Sequence, residues 1–233
     1  MLMGMQIKVD KRIRALLSML NDCNCLADIG CDHGFTCVTA VMEQSAKRAI
    51  AADISAPSLN KAKRLVRQKG LDDVFEFRCG DGLCVLNRGE ADAVIISGVG
   101  GELLAKILSD GESKIDKDCQ LILSPNNREH MVRLWLVENG FCMTYETVVF
   151  EKGKYYQMIK AKKGKSERYD EIDLELGKIN IKNKDETFKN YVAYKQKGVK
   201  IIIDKIARDN GDKQALNTFE KKLNAYQEIL NGY

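Results

Sequence analysis

The sequence lacks two features that would place the protein in a membrane. No run of 18 or more apolar residues occurs among its 233 residues, so no segment qualifies as a transmembrane helix. The opening stretch, MLMGMQIKVDKRIRALLSML, does not follow the charged, apolar and small-residue order of a secretion signal. We therefore expect a cytoplasmic protein with no membrane partner.

Histidines and paired cysteines are also scarce. The chain has two histidines, and its eight cysteines, at positions 23, 25, 31, 37, 79, 84, 119 and 142, form no CxxC pair. Zinc sites in proteins draw on such pairs and on nearby histidines, so the sequence predicts no metal site. We expect the thiols to be buried and reduced.

Charge is distributed unevenly along the chain. Residues 1–150 carry 18 Lys and Arg against 20 Asp and Glu, a net charge of −2, whereas residues 151–233 carry 19 against 13, a net charge of +6. A basic carboxyl-terminal part suits a polyanionic partner, because Lys and Arg release counterions when they bind phosphates. A lysine-rich solvated surface would have the same composition, so charge alone leaves both interpretations open.

The first 150 residues alternate short β-branched apolar runs with amphipathic stretches of helical length. This alternation predicts βαβ units and a parallel sheet. The predicted strands are CLADIG, RAIAADI, VFEFRCGD, ADAVIISG and CQLILSP, and helices such as TCVTAVMEQS separate them. Two further strands, FCMTYETVVF and KYYQMIKA, are joined by EKG and predict an antiparallel hairpin. A parallel sheet that ends in such a hairpin is typical of Rossmann-like class I methyltransferases, and we predict this α/β domain for residues 1–163.

Residues 164–233 show helical rather than strand periodicity. Apolar residues recur at intervals typical of helices: Phe188, Val192, Val199, Ile202 and Ile206, and, after a predicted turn at Asn210 and Gly211, Leu216, Phe219, Leu223, Tyr226 and Leu230. This spacing predicts two α-helices that fold back as an antiparallel coiled-coil hairpin. Lysines occupy much of the remaining surface, so we predict a basic helical domain that binds RNA.

The loop after the first strand, LADIGCDHGF, has the glycine turn of a nucleotide site without its GxGxxG fingerprint. Asp32 stands where that fingerprint needs a glycine, and a carboxylate there would repel a pyrophosphate. A cationic sulfonium with an amino acid tail removes the conflict. Asp28 and Asp32 suit its ammonium group, and backbone amides after Gly30 suit its carboxylate. The pattern therefore predicts S-adenosylmethionine as the cofactor.

Two further acidic residues follow the next two strands. Asp53 lies 23 residues after Gly30, the place from which a carboxylate accepts hydrogen bonds from ribose hydroxyls. Asp81 follows the third strand and is placed to accept a hydrogen bond from the adenine amino group. Each has an alternative role, Asp53 as a helix cap and Asp81 as a turn residue. Their order along one sheet edge favours a shared ligand.

The fourth and fifth strands end in residues that suit a target base. The segment SGVGG, residues 97–101, permits close approach of a flat substrate, although a glycine turn before a helix is its alternative role. Pro125 and Asn126 follow the fifth strand, where the Asn126 amide suits a base and a helix cap is again the alternative. A target swung out of folded RNA needs an apolar or aromatic neighbour, for which Phe35 is the candidate.

Five segments, LADIGCDHGF, IAADI, GDGL, ISGVGGELL and LSPNNREHMVRLWLVENGF, occur in this order and precede a basic helical tail. In this combination the chain resembles the bacterial tRNA (adenine-N1)-methyltransferases that modify adenine 22 in the D-loop. The resemblance covers nearly the whole chain. It implies a tRNA partner, which the tail helps to hold.

The residues assigned to the site follow from the strand-end pattern and from this resemblance. The predicted cofactor-binding residues are Asp28, Gly30, Cys31, Asp32, His33, Gly34, Asp53, Ile54, Asp81, Gly82, Gly98, Gly100 and Gly101. The predicted catalytic residues are Asp32, His33, Ser97 and Asn126. The predicted substrate-binding residues are Phe35, Pro125, Asn126, Lys8, Lys11, Arg12, Lys195 and Lys200. We expect a monomer.

Two other classes of function are compatible with the same residues. A methyltransferase that acts on DNA, a protein or a metabolite would share the sheet and the cofactor loop, although the basic tail disfavours a small metabolite. A non-catalytic RNA-binding module that keeps the fold is the second class. Cofactor binding separates the two, because an inactive module has no need to retain three acidic ligands.

Overall fold

The computed structural model describes residues 7–208 and 212–233 of the chain. The chain forms two compact units that divide between Arg168 and Tyr169. The boundary predicted from the sequence lies a few residues earlier, between residues 163 and 164. The assignment of a methyltransferase role to the first part and an RNA-binding role to the second stays a prediction.

The first unit is built on a seven-stranded sheet. Its strands are β1 (Cys23–Ile29), β2 (Ala46–Asp53), β3 (Phe75–Cys79), β4 (Ala93–Ser97), β5 (Gln120–Ser124), β6 (Phe141–Glu151) and β7 (Lys154–Lys163). They lie in the order β3-β2-β1-β4-β5-β7-β6. Strands β1 to β5 pair in parallel, and β7 pairs antiparallel with both β5 and β6. The predicted α/β class with a terminal hairpin is confirmed.

Two of the five helices in the described part of this unit begin at a residue whose side chain caps them. The five helices are α1 (Lys11–Met19), α2 (Phe35–Met42), α3 (Ala56–Gln68), α4 (Gly101–Gly111) and α5 (Glu129–Glu138). The Asp10 side chain accepts a hydrogen bond from the Ile13 amide and caps α1, and Ser55 caps α3 in the same way. Helix α2 ends before the predicted TCVTAVMEQS does, because Gln44 has a φ of 63° and β2 follows at once.

The carboxyl ends of the parallel strands lie at one edge of the sheet, where hydrogen bonds join loops to the neighbouring strands. The Gly30 amide donates to the Ala52 carbonyl at 2.8 Å, and the Gly98 amide donates to the Ser124 carbonyl at 3.2 Å. Each of these loops is thus tied to the end of the neighbouring strand. In sheets of this kind ligands bind at this edge, where the loops that follow the strands converge.

A buried polar network joins α5 to the hairpin. The Arg133 Nε atom donates to Glu146 Oε1 and its Nη2 atom donates to Gln157 Oε1, both at 2.6 Å. All three residues are almost completely buried. Removal of Arg133 or Glu146 would leave a buried charge without its ionic partner, so the network fixes the position of α5 on β6 and β7.

The second unit consists of helices, α6 (Glu171–Leu176), α7 (Lys178–Asn183), α8 (Glu186–Arg208) and α9 (Lys213–Asn231). Gln196 donates to Gln227 at 2.8 Å, and the Tyr233 hydroxyl donates to the Asp185 carbonyl at 3.3 Å, so α8 and α9 run antiparallel. The apolar spacing did not predict the short helices α6 and α7. Asp170 and Asp173 form a capping box at the start of α6, a signal that the sequence contained.

One predicted position of the helical seam is wrong. Phe188, Val192, Val199 and Tyr226 are buried as predicted. Ile202 is 41% exposed, whereas Ile203 is partly buried, so the buried face of α8 passes from Val199 to Ile203. A straight α-helix has 3.6 residues per turn and drifts away from a strict heptad, which explains the shift. The predicted turn at Asn210 and Gly211 lies outside the described residues.

The cysteines are unpaired thiols, and two of them differ from the expectation of burial. Cys79 and Cys84 are exposed, whereas Cys23, Cys25 and Cys31 are among the buried ones. Within residues 7–208 and 212–233 there is no group of three or more side chains of the kind that hold a metal ion. In the same residues, no helix has both the length and the apolarity needed to cross a membrane.

Candidate active site

A cleft of about 620 Å³ opens at the carboxyl ends of β1 to β4. Its lining includes five carboxylates, Asp10, Asp28, Asp32, Asp53 and Asp81, and the guanidinium of Arg12. Such a wall favours a cationic ligand over a pyrophosphate. A cavity of similar volume, about 610 Å³, lies at the amino ends of β1 and β5, but it contains none of these strand-end acids.

The loop between β1 and α2 is held largely by its own backbone. The amides of Gly30 and Cys31 both donate to the Ala52 carbonyl, so the Cys31 amide, the first of those after Gly30, is not available to a ligand carboxylate. The described contacts include no acceptor for the amides of Phe35 and Thr36, the first two residues of α2, which line the cleft. Amides in the first turn of a helix bind anions readily.

Asp53 lies at the end of β2 with both carboxylate oxygens oriented by backbone amides. Its Oδ2 atom accepts from the Asp32 amide at 3.0 Å, and its Oδ1 atom accepts from the Ser55 amide at 2.8 Å. Ser55, not Asp53, caps α3. The helix-cap alternative for Asp53 is therefore wrong, and its carboxylate faces the cleft with lone pairs to spare.

Asp28 is the most buried carboxylate of the cleft, with 3% of its surface exposed. Burial raises its pKa to about 6, against the opposing effect of hydrogen bonds from Cys37. The Cys37 amide donates to Asp28 Oδ2 at 3.3 Å. Burial also raises the pKa of the Cys31 thiol, with the charges of Asp28 and Asp53 adding to the effect.

The third strand is followed by a turn that favours glycine. Gly82 has a φ of 51°, and a Cβ atom there would lie 2.9 Å from Ile107 Cγ2. Asp81, directly before it, lines the cleft. Ile54, after β2, also lines the cleft and is 71% exposed, an apolar surface that a flat ring can cover.

The Asp32 carboxylate lies close to the side chains of Lys61 and His33. Asp32 has a positive φ of 42°, and its carboxylate lies 3.6 Å from Lys61 Nζ and 3.5 Å from His33 Nε2. The His33 ring stacks on Phe35 with 5.7 Å between ring centroids. Lys61 was not predicted, because nothing in the sequence shows that the second turn of α3 comes next to this loop.

The loop after β4 forms the other wall of the cleft. Ser97, Gly98 and Val99 line it, and Gly98 has a φ of 86°. Pro125 and Asn126 are not among the lining residues. The Asn126 side-chain amide donates to the Gly98 carbonyl at 2.5 Å, and its backbone amide donates to the Val99 carbonyl at 2.8 Å. Asn126 therefore holds the loop after β4 in place without lining the cleft itself.

Three glycines predicted to contact the cofactor do not line the cleft, and packing requires glycine at two of them, Gly34 and Gly101. A Cβ atom on Gly34 would lie 2.9 Å from Ala62 Cβ, and one on Gly101 would lie 2.3 Å from the Arg128 carbonyl oxygen. A Cβ atom on Gly100 would lie 3.2 Å from the side chain of Asn127. These glycines allow α2 to approach α3 and α4 to approach the loop before α5.

The predicted cationic residues fall into three environments. Lys8, Lys11 and Lys200 are exposed. Lys195 instead pairs with Glu175 inside the helical unit at 2.8 Å, and its assignment as a substrate-binding residue stays a prediction. Arg12 lines the cleft. The sequence pattern missed several other lining residues; Asp10, Leu103 and Ile107 are among them, and they come from helix starts and helix faces and not from strand ends.

Comparison with known proteins covers both units. The family model described as a methyltransferase domain matches residues 9–159. The tRNA (adenine(22)-N(1))-methyltransferase of Bacillus subtilis (strain 168) is 31% identical over 234 aligned positions, which span 97% of this chain and 98% of that protein. The chain belongs to this methyltransferase family.

Solved structures of the family agree with the fold described above. The crystal structure of the B. subtilis m1A22 tRNA methyltransferase TrmK superposes with a TM-score of 0.87 at 29% identity, covering 96% of this chain and 99% of that one. Streptococcus pneumoniae Sp1610 in complex with S-adenosyl-L-methionine gives a TM-score of 0.86 at 25% identity, covering 96% and 100%. The similarity thus extends past the sheet into the helical unit.

Proposed function

We propose that the protein transfers a methyl group from S-adenosylmethionine to N1 of adenine 22 in tRNA. The observation that carries this proposal is the 31% identity to the B. subtilis tRNA (adenine(22)-N(1))-methyltransferase, which extends over 97% of the chain and so includes the helical unit. A shared sheet alone would support methyl transfer but would not support the substrate.

The cleft residues fit S-adenosylmethionine. When bound, this cofactor supplies an electrophilic methyl group on a positively charged sulfur. The amides of Phe35 and Thr36 at the start of α2 would hold its carboxylate, and buried Asp28 would offset the charge of its ammonium group. Asp53, whose oxygens are oriented by the amides of Asp32 and Ser55, would accept from the ribose hydroxyls. Asp81 would accept from the adenine amino group, and Ile54 would cover the ring.

The target base enters from the side of Ser97, Gly98 and Val99. Gly98 permits close approach because it has no side chain, and Asn126 holds this wall in place through the Gly98 carbonyl. Phe35, stacked on His33, receives the face of the base. Ser97 lies where it can orient the exocyclic amino group.

The chemistry at N1 requires no general base. The N1 lone pair of adenine takes the methyl group without loss of a proton, and the product base is cationic. The residues of the chain therefore contribute mainly alignment of N1 with the methyl group, which accounts for a large part of the rate of such reactions. Asp32 and His33 border the cleft, where the Asp32 carboxylate offsets developing positive charge.

Exposed lysines supply the longer-range attraction to tRNA. Lys8 lies just before α1 and Lys11 is its first residue, and Lys200 is an exposed lysine of α8 in the helical unit. We also propose that the protein acts as a cytoplasmic monomer.

Methyl transfer from labelled cofactor to two transcripts tests the function. One transcript is a tRNA with adenine 22, and the other carries guanine at that position and is otherwise identical. We expect label in the first transcript only, recovered as N1-methyladenosine after nucleoside analysis. Label in a different nucleoside would contradict the proposed position, and label in protein or DNA would contradict the substrate class.

A further inference from the structure

Arg12 reaches from α1 into the cleft at the junction of β4 and β5. Its Nη2 atom donates to the Ser124 carbonyl at 3.1 Å, and its guanidinium carbon lies 4.6 Å from the centre of the Tyr156 ring. A Cβ atom on Gly98 would lie 3.9 Å from the same Nη2 atom. Arg12 is therefore held beside the loop that follows β4, where the target base meets the methyl group.

Most hydrogen-bonding capacity of Arg12 is unused. A guanidinium has five N–H donors. Among the contacts of the described residues, the bond to Ser124 is the one hydrogen bond that Arg12 makes, and its Nε atom is buried without a partner. The Ser124 hydroxyl is also buried without a partner. Unsatisfied donors of this kind cost free energy, so their persistence calls for a ligand or a functional role.

Arg14, two residues further along the same helix, shows the contrast with an ordinary surface arginine. Its Nη1 atom lies 2.7 Å from both carboxylate oxygens of Glu43. Arg12 has no carboxylate partner of this kind among the described residues. Burial lowers the pKa of Arg12, which reflects the cost of keeping its charge partly out of water. A side chain that only joined α1 to β5 through a hydrogen bond would not need to be charged.

We propose that Arg12 binds a hydrogen-bond acceptor of the target nucleotide, either its phosphodiester or the edge of its base, and thereby positions that nucleotide against the loop after β4. The assignment rests on the proposed function. It separates Arg12 from Lys8 and Lys11, which are exposed and attract RNA at longer range. The stacked, preoriented guanidinium offers two or more donors in a fixed plane, which suits both kinds of acceptor.

The full-length variants Arg12→Gln and Arg12→Lys test this role, with Arg14→Gln as the matched control on the same helix. We expect kcat/KM for tRNA to fall about tenfold or more in Arg12→Gln, with partial recovery in Arg12→Lys because an ammonium keeps the charge but not the fork. The dissociation constant for S-adenosylmethionine and the thermal midpoint should match those of the unmodified chain. Arg14→Gln should keep kcat/KM within about twofold.

Salt dependence identifies the acceptor. A plot of log kcat/KM against log salt concentration has a negative slope. If Arg12 contacts a phosphate, this slope becomes shallower by about one in Arg12→Gln, whereas contact with the base edge leaves it unchanged. Unchanged kcat/KM, or a loss matched by weaker cofactor binding or by unfolding, would overturn the proposal. If the unmodified chain methylates no tRNA, the proposed function fails separately, and direct comparison of tRNA affinities still tests Arg12.

Discussion

The carboxylate of Asp53 accepts a hydrogen bond from the backbone amide of Asp32, with 3.0 Å between Oδ2 and N. The contact joins the end of β2 to the loop after β1. The other oxygen of the Asp53 carboxylate, Oδ1, accepts a hydrogen bond from the Ser55 amide just before α3. One side chain therefore fixes the loop and the helix on either side of the proposed ribose position.

We predict that Asp53→Ala weakens binding of S-adenosylmethionine by more than about tenfold. The change removes the acceptor for the ribose hydroxyls and leaves the amides of Asp32 and Ser55 without their partner. Isothermal calorimetry measures the effect. Asp73→Ala, which removes an exposed carboxylate outside the cleft, is the control and should leave the affinity unchanged. Equal affinities for Asp53→Ala and the unmodified chain would show that the ribose lies elsewhere.

The raised pKa of Asp28 predicts a pH dependence of cofactor binding. Burial raises this pKa to about 6 in the ligand-free protein, and the proposed pairing with the ammonium group of the cofactor requires the ionised form. The dissociation constant should therefore rise as pH falls below 6, by about tenfold per unit at the limit, while binding near pH 8 stays strong. Calorimetry in buffers between pH 5 and 8 measures the profile.

The stability of the ligand-free protein should change in the opposite sense. The folded-state pKa of Asp28 lies above its ordinary value of 3.8. Protonation of Asp28 therefore adds fully to the free energy of unfolding below pH 3.8, and this contribution is lost as pH rises through 6. Asp28→Asn should remove both this change and the inflection in cofactor affinity. An inflection near pH 6 that persists in Asp28→Asn would assign the titration to another group.

The strand-end residues were predictable because parallel strands bring their carboxyl ends to one edge. Asp28, Asp53 and Asp81 needed only the apolar runs before them to be placed in one cleft. Gly34 and Gly101 fit the same pattern but serve helix packing, since the clash that each avoids is with a residue distant in sequence. A glycine after a strand does not by itself distinguish these roles.

Contacts across long sequence separations could not be predicted from periodicity. Arg12 lies in the first helix, and its acceptor Ser124 is 112 residues away. Lys195 looked like one of many solvent-facing lysines, but Glu175 lies in the unpredicted helix α6 and binds it. In both cases the partner becomes evident only after the sheet or helical unit has assembled.

The Glu175 network should stabilise the helical unit. The Glu175 carboxylate is 14% exposed and lies 2.8 Å from Lys195 Nζ and 2.5 Å from Lys222 Nζ, and it accepts from the Tyr226 hydroxyl at 2.6 Å. Burial acts to raise the pKa of Glu175, but the two lysines and Tyr226 outweigh it, and the pKa lies below its ordinary value.

We predict that Glu175→Ala lowers the free energy of unfolding of this unit by about 2 kcal/mol. The value is below that of a fully buried network, because the lysine side chains are 32% and 34% exposed. Urea unfolding followed by circular dichroism at 222 nm measures it. Glu186→Gln, which disturbs an exposed pair with Lys189, is the control and should change stability by less than about 0.5 kcal/mol. A loss no larger than the control's would contradict a stabilising role.

Gly101→Ala tests whether this glycine serves packing or the cofactor. A Cβ atom there would lie 2.3 Å from the Arg128 carbonyl oxygen and 2.7 Å from the Asn127 carbonyl oxygen, so α4 and the loop before α5 must move apart. We expect a loss of about 2 kcal/mol or more in stability, with cofactor affinity of the folded protein little changed. Gly198→Ala, where the new methyl group meets open space within α8, should instead raise stability by about 0.5–1 kcal/mol. Unchanged stability of Gly101→Ala together with lost cofactor binding would restore Gly101 to the cofactor site, because the backbone would then have accommodated the methyl group and only the ligand would be excluded.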